Sequence, residues 1–196
     1  MDSRFEIGSV CRALSLAEPS GDAWTALFSE CLTIVAVDGV GHGAPAHEAA
    51  LAAITTARAS LERDPLAPLD SVMHACHAAL RGTRGAAVGL CRFDPARASA
   101  SYCGVGNTTF LRHPTRSGTG VSLPGIVGWK MRTVRVFDTT LAPGDLYAFH
   151  SDGIASGFSL ESYARLPAQQ AAEQVLREHG KISDDALIVV VRFRPD

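Results

Sequence analysis

Four aspartates stand at the ends of short apolar segments that have the composition of buried β-strands. Asp38 and Asp152 each follow such a segment, and Asp184 and Asp185 precede the last one. In an antiparallel arrangement the end of one strand lies beside the start of its neighbour, so these side chains can converge at one rim. Convergent carboxylates repel one another unless a cation lies between them. Oxygen ligands without a Cys-x-x-Cys pair favour Mg²⁺ or Mn²⁺ over zinc.

The residues that follow Asp38 are rich in glycine and precede a predicted helix. Gly39, Gly41 and Gly43 alternate with other residues, and an alanine-rich segment without glycine follows over residues 44–61. Glycine permits a positive φ and a close approach of the backbone to a ligand. It also leaves the Gly39 carbonyl free to face whatever Asp38 binds.

The spacing of these acids is also compatible with purely structural roles. Aspartates at strand ends are common in turns and helix caps. Asp22 follows a turn-like segment and opens another apolar run, where it is either a turn residue or a further member of the acidic cluster. From the residues alone, a metal site and a set of turn residues therefore remain alternatives.

Composition restricts the kind of protein. A chain of 196 residues with 46% hydrophobic residues predicts one domain over residues 1–196, which can bury about 70% of its unfolded surface. The net charge of −2 and scattered basic residues argue against a nucleic-acid partner. The five widely spaced cysteines are expected to be buried, reduced thiols. With no basic start before an apolar segment and no run near ~18 apolar residues, we expect a cytoplasmic chain without a membrane partner.

Hydrophobic patterning predicts a mixture of strands and helices. Strands are expected over residues 5–16, 23–28, 32–37, 86–93, 98–104, 108–111, 131–137, 146–150 and 186–193. Short turn-like segments separate the three strands between residues 86 and 111, which predicts an antiparallel meander. Helices are expected over residues 44–61, 69–80 and 168–179, the second with an apolar stripe formed by Leu69, Val72, Met73, Cys76 and Leu80.

Four ordered motifs add a family resemblance to this pattern. They are Ser20-Gly21-Asp22-Ala23-Trp24, Asp38-Gly39-Val40-Gly41-His42-Gly43-Ala44, Leu141-Ala142-Pro143-Gly144-Asp145 with His150-Ser151-Asp152-Gly153-Ile154, and Ser183-Asp184-Asp185-Ala186-Leu187. In this order they resemble the motifs of metal-dependent PP2C-type phosphatases. The chain is most similar to the bacterial SpoIIE-like branch and, within it, to the small stand-alone RsbX-like phosphatases.

The resemblance implies a fold, a cofactor and an activity. The fold would be an α+β, α-β-β-α sandwich of two antiparallel sheets flanked by helices. Two divalent cations, Mn²⁺ or Mg²⁺, would lie between the sheets, and a hydroxide that bridges them would attack the phosphorus directly. The substrate would be a phosphoserine or phosphothreonine protein, such as a STAS-domain antagonist or a stressosome component in a bacterial stress and sigma-factor pathway.

The resemblance also assigns roles to individual residues. Asp38 would bridge both metals and Gly39 would lend its carbonyl to one, while Asp152 and Asp184 would ligate the other. Asp22 would act through metal-bound water. Asp38 and Asp22 would thus be the catalytic residues, and Gly41 and His42 are candidate substrate contacts, although His42 could also only cap the loop.

Two departures from the family pattern affect these assignments. No second acid follows Asp22 closely, and Asp184-Asp185 is not followed by the usual threonine at the next position but one. The second departure leaves Asp185 as an alternative to Asp184 for the last ligand. An arginine is expected to grip the phosphate, but the sequence does not choose between Arg4, Arg12 and the others.

Two other functions compete with the phosphatase interpretation. Gly39-Val40-Gly41-His42-Gly43-Ala44 satisfies the dinucleotide-binding fingerprint, although the expected acid after a second parallel strand is missing. A catalytically weak, phosphatase-like binding module is the other alternative. Substitution of Asp38 by Asn separates an enzyme, which would lose turnover and keep its fold, from a scaffold, which would keep its function.

Overall fold

Two β-sheets stack face to face in the computed structural model, which describes residues 4–115 and 120–194. The strands are β1 (Phe5–Arg12), β2 (Asp22–Phe28), β3 (Leu32–Gly39), β4 (Ala86–Asp94), β5 (Ser99–Val105), β6 (Thr109–His113), β7 (Ser122–Leu123), β8 (Val136–Thr140), β9 (Leu146–His150) and β10 (Ala186–Phe193). The helices are α1 (Ala44–Arg63), α2 (Leu69–Ala79) and α3 (Ala168–His179), and a 3-10 turn spans Leu160–Tyr163.

The strands are divided between two sheets, each with its own strand order. One sheet has the order β1-β10-β9-β6, with antiparallel neighbours throughout. The other runs β2-β3-β4-β5, again antiparallel, and β5 then pairs with the short parallel strand β7 and with antiparallel β8. The strand β3 therefore lies inside its sheet and is fully paired along both edges.

Three layers of apolar side chains hold this arrangement together. The central layer lies between the sheets and is rich in aromatic rings, among them Phe93 and Tyr147 with centroids 4.8 Å apart. The helices α1 and α2 cover the outer face of the β2–β5 sheet, and α3 covers the outer face of the other. The expected α-β-β-α sandwich is confirmed. No helix in the described part of the chain is both long and apolar enough to cross a bilayer.

The predicted helices are found with small changes at their ends. The first begins at Ala44 as expected and continues to Arg63, and the third has the predicted bounds. All five residues of the predicted apolar stripe on the second helix are buried: Leu69, Val72, Met73, Cys76 and Leu80. The cysteines are free, and four are buried as expected, whereas Cys11 is exposed.

The expectations for two strands are wrong in part. The first strand ends at Arg12, because its partner β10 begins at Ala186 and offers no residues for 13–16 to pair with. The strand expected over residues 131–137 is displaced to Val136–Thr140, where it pairs with β5.

The predicted meander is also incorrect. The strands β4 and β5 form a hairpin, but β6 crosses to the other sheet and pairs with β9. The place beside β5 is taken by β7 and β8 instead. The crossing directs Phe110 into the layer between the sheets, where it stacks on Tyr102 with centroids 4.4 Å apart.

A buried ion pair fixes the β6 strand to the turn before β9. Arg112 donates to Asp145 Oδ2 at 2.5 Å, and both side chains are fully buried. The same oxygen accepts hydrogen bonds from the Ala142 amide and the Tyr147 hydroxyl. A charge in this position is tolerated because its partner and these donors replace water.

We expect Asp145→Ala to lower the free energy of unfolding by about 3–5 kcal/mol, because it leaves the Arg112 charge buried without its partner. Denaturant titration followed by circular dichroism measures the change. The matched control is Glu62→Ala, which removes the exposed Arg58–Glu62 pair and should cost no more than about 0.5 kcal/mol. Equal losses in the two variants would contradict the assignment of a structural role to the buried pair.

Candidate metal centre

Strand register brings the predicted acidic residues to one end of the sandwich. Asp22, the first residue of β2, lies opposite Asp38 near the end of β3. From the other sheet, His150 at the end of β9 pairs with Ile188 in β10, so Asp152 and Asp184 meet at the same rim. The two sheets thus contribute acids from opposite sides, as the sequence predicts.

A cavity of about 810 Å³ opens at this rim. Asp38, Asp152 and Asp184 lie in its wall, together with the predicted substrate contacts Gly41 and His42. Its opposite side is formed by Asn107 and by the segment that includes Pro124, Gly125 and Ile126. The sequence-predicted residues Asp22, Gly39 and Asp185 are not among its lining residues.

Asp38 carries the clearest sign that a cation belongs in this site. Its Oδ2 atom is buried and has no hydrogen-bond partner among the described residues. Burial, followed by repulsion from Asp152 and Asp184, raises the pKa of Asp38 to about 7. A buried carboxylate oxygen without a donor is costly, and a divalent cation is a partner that would relieve both the burial and the repulsion.

Asp22 is buried beside Asp38, its partner across the β2–β3 pair. Burial, followed by repulsion from Asp38, raises its pKa to about 8 even though Ser151 Oγ donates to its Oδ2 at 2.6 Å. Ser151 also accepts a hydrogen bond from the Leu187 amide at 3.0 Å, so it links this acid to β10. Asp22 is thus held in a fixed orientation at the junction of the two sheets.

Asp184 and Asp185 occupy different environments. Asp184 faces the cavity, and burial with repulsion from Asp152 raises its pKa. Asp185 is buried, and its two oxygens accept backbone N–H groups from Leu14 at 2.6 Å and Gly21 at 2.7 Å. The acceptor sites of Asp185 facing those amides are occupied, so it anchors the loop between β1 and β2. The geometry favours Asp184 over Asp185 as a ligand.

The donor set fits a hard divalent cation that keeps part of its water. Among the described residues, no group of three or more His, Cys, Asp or Glu side chains forms a cage that could hold a metal ion. Mg²⁺ does not require such a cage, because it is commonly held by one or two carboxylates with waters and substrate phosphates completing its coordination. The unpartnered oxygen of Asp38 and the facing acids Asp152 and Asp184 supply that kind of set.

The three glycines after Asp38 serve different purposes. Gly41 and Gly43 have φ values of +89° and +71°, as expected for a glycine loop. Gly39 does not have a positive φ; a Cβ atom on it would lie 2.1 Å from the Ala46 carbonyl oxygen. Glycine at position 39 therefore lets α1 begin directly against β3, and its amide donates to the Gly21 carbonyl at 3.0 Å.

Two residues at the site are not among the sequence-predicted ones. Asn107 donates to Asp152 Oδ2 at 2.7 Å and so fixes that carboxylate. Ser151 likewise fixes the Asp22 carboxylate, because its hydroxyl donates to Asp22 Oδ2. In the sequence, Asn107 follows Gly104-Val105-Gly106, a pattern that predicts only a turn.

His42 lies at the cavity with Nδ1 3.5 Å from Glu18 Oε2, and both side chains are more than half exposed.

The dinucleotide alternative is contradicted by the fold. The strand that precedes the glycine loop has two antiparallel neighbours, β2 and β4. The dinucleotide fingerprint requires a parallel β-α-β unit at this point. The loop instead belongs to the acidic rim.

The architecture of this chain is that of the PP2C-type fold. The PP2C phosphatase domain of SpoIIE from Bacillus subtilis superposes with a TM-score of 0.76 and 24% identity, over 97% of this chain and 63% of that chain. A structure of RsbX in complex with magnesium gives a TM-score of 0.85 at 18% identity, over 98% and 97% of the two chains.

The chain belongs to the SpoIIE family, described as stage II sporulation protein E, whose model matches residues 29–194. A chain solved for the bacterial stressosome, a modular system adapted to control secondary messenger signalling, is 30% identical with a TM-score of 0.88, covering 97% of this chain and all of that one. The phosphoserine phosphatase RsbX of Bacillus subtilis (strain 168) is 25% identical over 125 residues, which span 63% of this chain and 61% of RsbX.

We expect the metal-free protein to lose stability as the pH rises from about 4 to about 8. The folded-state pKa values of Asp38 and Asp22 lie near 7 and 8, above their ordinary value of 3.8, so the folded state binds more protons in this window. Melting curves in EDTA should show the decline, and Mn²⁺ or Mg²⁺ should raise the melting temperature more at pH 8 than at pH 5. A flat profile without metal would contradict the buried acidic cluster.

The neighbouring acids provide a matched pair of variants. Asp184→Asn should weaken Mn²⁺ binding, measured by calorimetry, by about 10-fold or more, with little loss of metal-free stability because Asp184 faces the cavity. Asp185→Asn should instead lower the melting temperature of the metal-free protein, because its remaining oxygen can accept one of the two backbone amides while its new NH₂ group, a donor, faces the other. The reverse pattern would assign the ligand role to Asp185.

Proposed function

We propose that this protein is a Mg²⁺- or Mn²⁺-dependent phosphatase that removes phosphate from phosphoserine or phosphothreonine in a signalling protein. The observation that carries the proposal is the buried, unpartnered Oδ2 of Asp38 at a cavity that Asp152 and Asp184 also line. Membership in the SpoIIE family and similarity to a phosphoserine phosphatase support the same activity.

The acids at the rim divide into ligands and supporting groups. Asp38, Asp152 and Asp184 would hold two divalent cations, with the Gly39 carbonyl as a further ligand. When bound, such ions lower the pKa of water and offset charge on phosphoryl oxygens. Asp22 would act from beside Asp38 through water, because Ser151 holds it and it is not among the residues that line the cavity.

The remaining residues at the site position the substrate and its ligands. Asn107 keeps the Asp152 carboxylate in one orientation through its hydrogen bond. Gly41 and His42 form the wall beside Asp38 and would contact the phosphorylated segment. In the proposed reaction no side chain forms a covalent phosphoryl intermediate. Trapping a phosphorylated form of this chain during turnover would therefore contradict the mechanism.

The proposed substrate is a phosphorylated STAS-domain antagonist or stressosome component, dephosphorylated in the cytoplasm. This substrate class is supported by the similarity to RsbX and to a chain solved for the bacterial stressosome. The open cavity has room for a phosphorylated side chain that approaches from outside, which suits a protein substrate.

Purified protein should release phosphate from p-nitrophenyl phosphate and from a phosphoserine STAS-domain protein in Mn²⁺ or Mg²⁺, but not in EDTA. Asp38→Asn should lower kcat/KM by at least ~100-fold, because even loss of a group that only supports a metal ligand costs about 10–100-fold. The matched control Asp138→Asn alters an exposed acid on β8 and should retain wild-type activity.

Circular dichroism of both variants tests whether each keeps its fold. Metal-dependent turnover that survives in Asp38→Asn would contradict the role of Asp38 as a metal ligand. A folded wild-type protein with no activity on either substrate in either metal would contradict the proposed function and favour the phosphatase-like binding module.

A further inference from the structure

The cavity has acidic walls, and apart from the proposed metal ions its described lining offers the substrate's phosphate no lysine or arginine. Among the described residues that line it, three are aspartates and none is Lys or Arg. Arginine is suited to this role because its planar guanidinium donates two parallel hydrogen bonds to phosphate oxygens.

Neither of the arginines raised by the sequence analysis is available at the cavity. Arg12 donates to the carbonyl oxygens of Lys181 and Asp184, so it ties the segment before β10 to β1. Arg4 lies at the opposite end of β1, where its carbonyl accepts the Arg194 amide. The phosphate-binding arginine must therefore come from another element.

Arg84 does not itself line the cavity, but it precedes a segment that is bonded to two parts of the cavity wall. The β3–β4 ladder continues beyond the strands, because the Val40 amide donates to the Gly85 carbonyl at 3.0 Å. On the opposite side, Ala86 and Val127 exchange two backbone hydrogen bonds of 3.0 and 2.8 Å. The short segment that carries Arg84 is thus fixed between the glycine loop and the segment next to Ile126.

The guanidinium of Arg84 lies against Gly41 in the cavity wall. A Cβ atom placed on Gly41 would be 2.6 Å from Arg84 Nη1, and Gly41 has a φ of +89°. Gly41 lines the same cavity as Asp38. The absence of a side chain at position 41 therefore lets the guanidinium lie directly against the loop that follows Asp38.

Arg84 is also unengaged within the described part of the chain. It is exposed and makes no hydrogen bond or ion pair with another described residue. A structural arginine at such a junction would be expected to bind carbonyl or carboxylate oxygens, as Arg92 does with the carbonyls of Leu66 and Ala67. Its donors are free for a ligand.

We propose that Arg84 binds the phosphoryl group of the substrate at the rim of the cavity, and this inference rests on the proposed phosphatase function. The guanidinium reaches across Gly41 and donates to phosphoryl oxygens that face away from the acids. Arg84 is thus a substrate-binding residue rather than a metal ligand.

The test compares Arg84→Ala with Arg84→Lys and with Arg81→Ala, which removes an exposed arginine three residues away. Loss of a charge-assisted hydrogen bond should raise the KM for p-nitrophenyl phosphate and the inhibition constant of inorganic phosphate by about 10-fold or more in Arg84→Ala. The change in kcat should be smaller than the change in KM. Arg84→Lys should recover part of the loss, and Arg81→Ala should match wild type.

The same variants are titrated with inorganic phosphate in the presence of Mn²⁺ by calorimetry, which requires no turnover. If wild-type protein hydrolyses neither substrate, the proposed function fails, while weaker phosphate binding by Arg84→Ala still supports the role of Arg84. Unchanged KM and phosphate affinity in a folded Arg84→Ala variant would overturn it. A rise in KM for the phosphoprotein alone would also overturn it, because Arg84 would then contact the polypeptide instead of the phosphoryl group.

Discussion

The electrostatic repulsion among buried carboxylates at one end of the sandwich is the constraint on which the rest of this structure depends. Asp38 has a buried oxygen without a donor, and Asp152 and Asp184 raise the cost of its negative charge. Repulsion from Asp38 likewise opposes the charge of Asp22, and repulsion from Asp152 opposes that of Asp184. Proton uptake relieves this repulsion in the metal-free protein. Divalent cations relieve it while leaving the carboxylates ionised, which is the state that a hydrolytic metal centre requires.

The acids stay close together despite their repulsion because rigid elements of the fold carry them. The strand that carries Asp38 is paired along both edges, and apolar layers cover both of its faces. Hydrogen bonds orient two of the other acids, from Asn107 to Asp152 and from Ser151 to Asp22, and Ser151 is itself buried and bonded to the Leu187 amide. The repulsion therefore cannot be released by a local movement of one strand. Stability from the packed layers and the Arg112–Asp145 pair offsets its cost.

Local patterns predicted the elements well and predicted their long-range pairing less well. Alanine-rich composition and apolar periodicity predicted the positions of the helices. Apolar segments that precede Asp38 and Asp152 predicted the two central strands of the site. The crossing of β6 to the second sheet was missed, because a strand's partner depends on competition among all available edges rather than on its own residues. The displacement of β8 has the same origin, since pairing with β5 sets its limits.

The candidate site shows the same division between local and distant information. The acids at strand ends were visible in the sequence, but the different environments of Asp184 and Asp185 depend on the Leu14 and Gly21 amides, which are distant in sequence. Asn107 and Arg84 likewise gain their significance from segments that the fold brings beside them. Sequence patterns indicate which residue types are available, whereas the packing determines which of them face the cavity.

The most direct test of the central claim is calorimetric titration of the metal-free protein with Mn²⁺ near pH 7 in two buffers of different ionisation enthalpy. We expect saturable binding of two ions per chain, with protons released because Asp38 and Asp22, with pKa values near 7 and 8, are partly protonated before metal binds. Asp38→Asn should abolish the saturable binding. Metal binding that is absent in wild type, or that persists unchanged in the folded variant, would contradict the account.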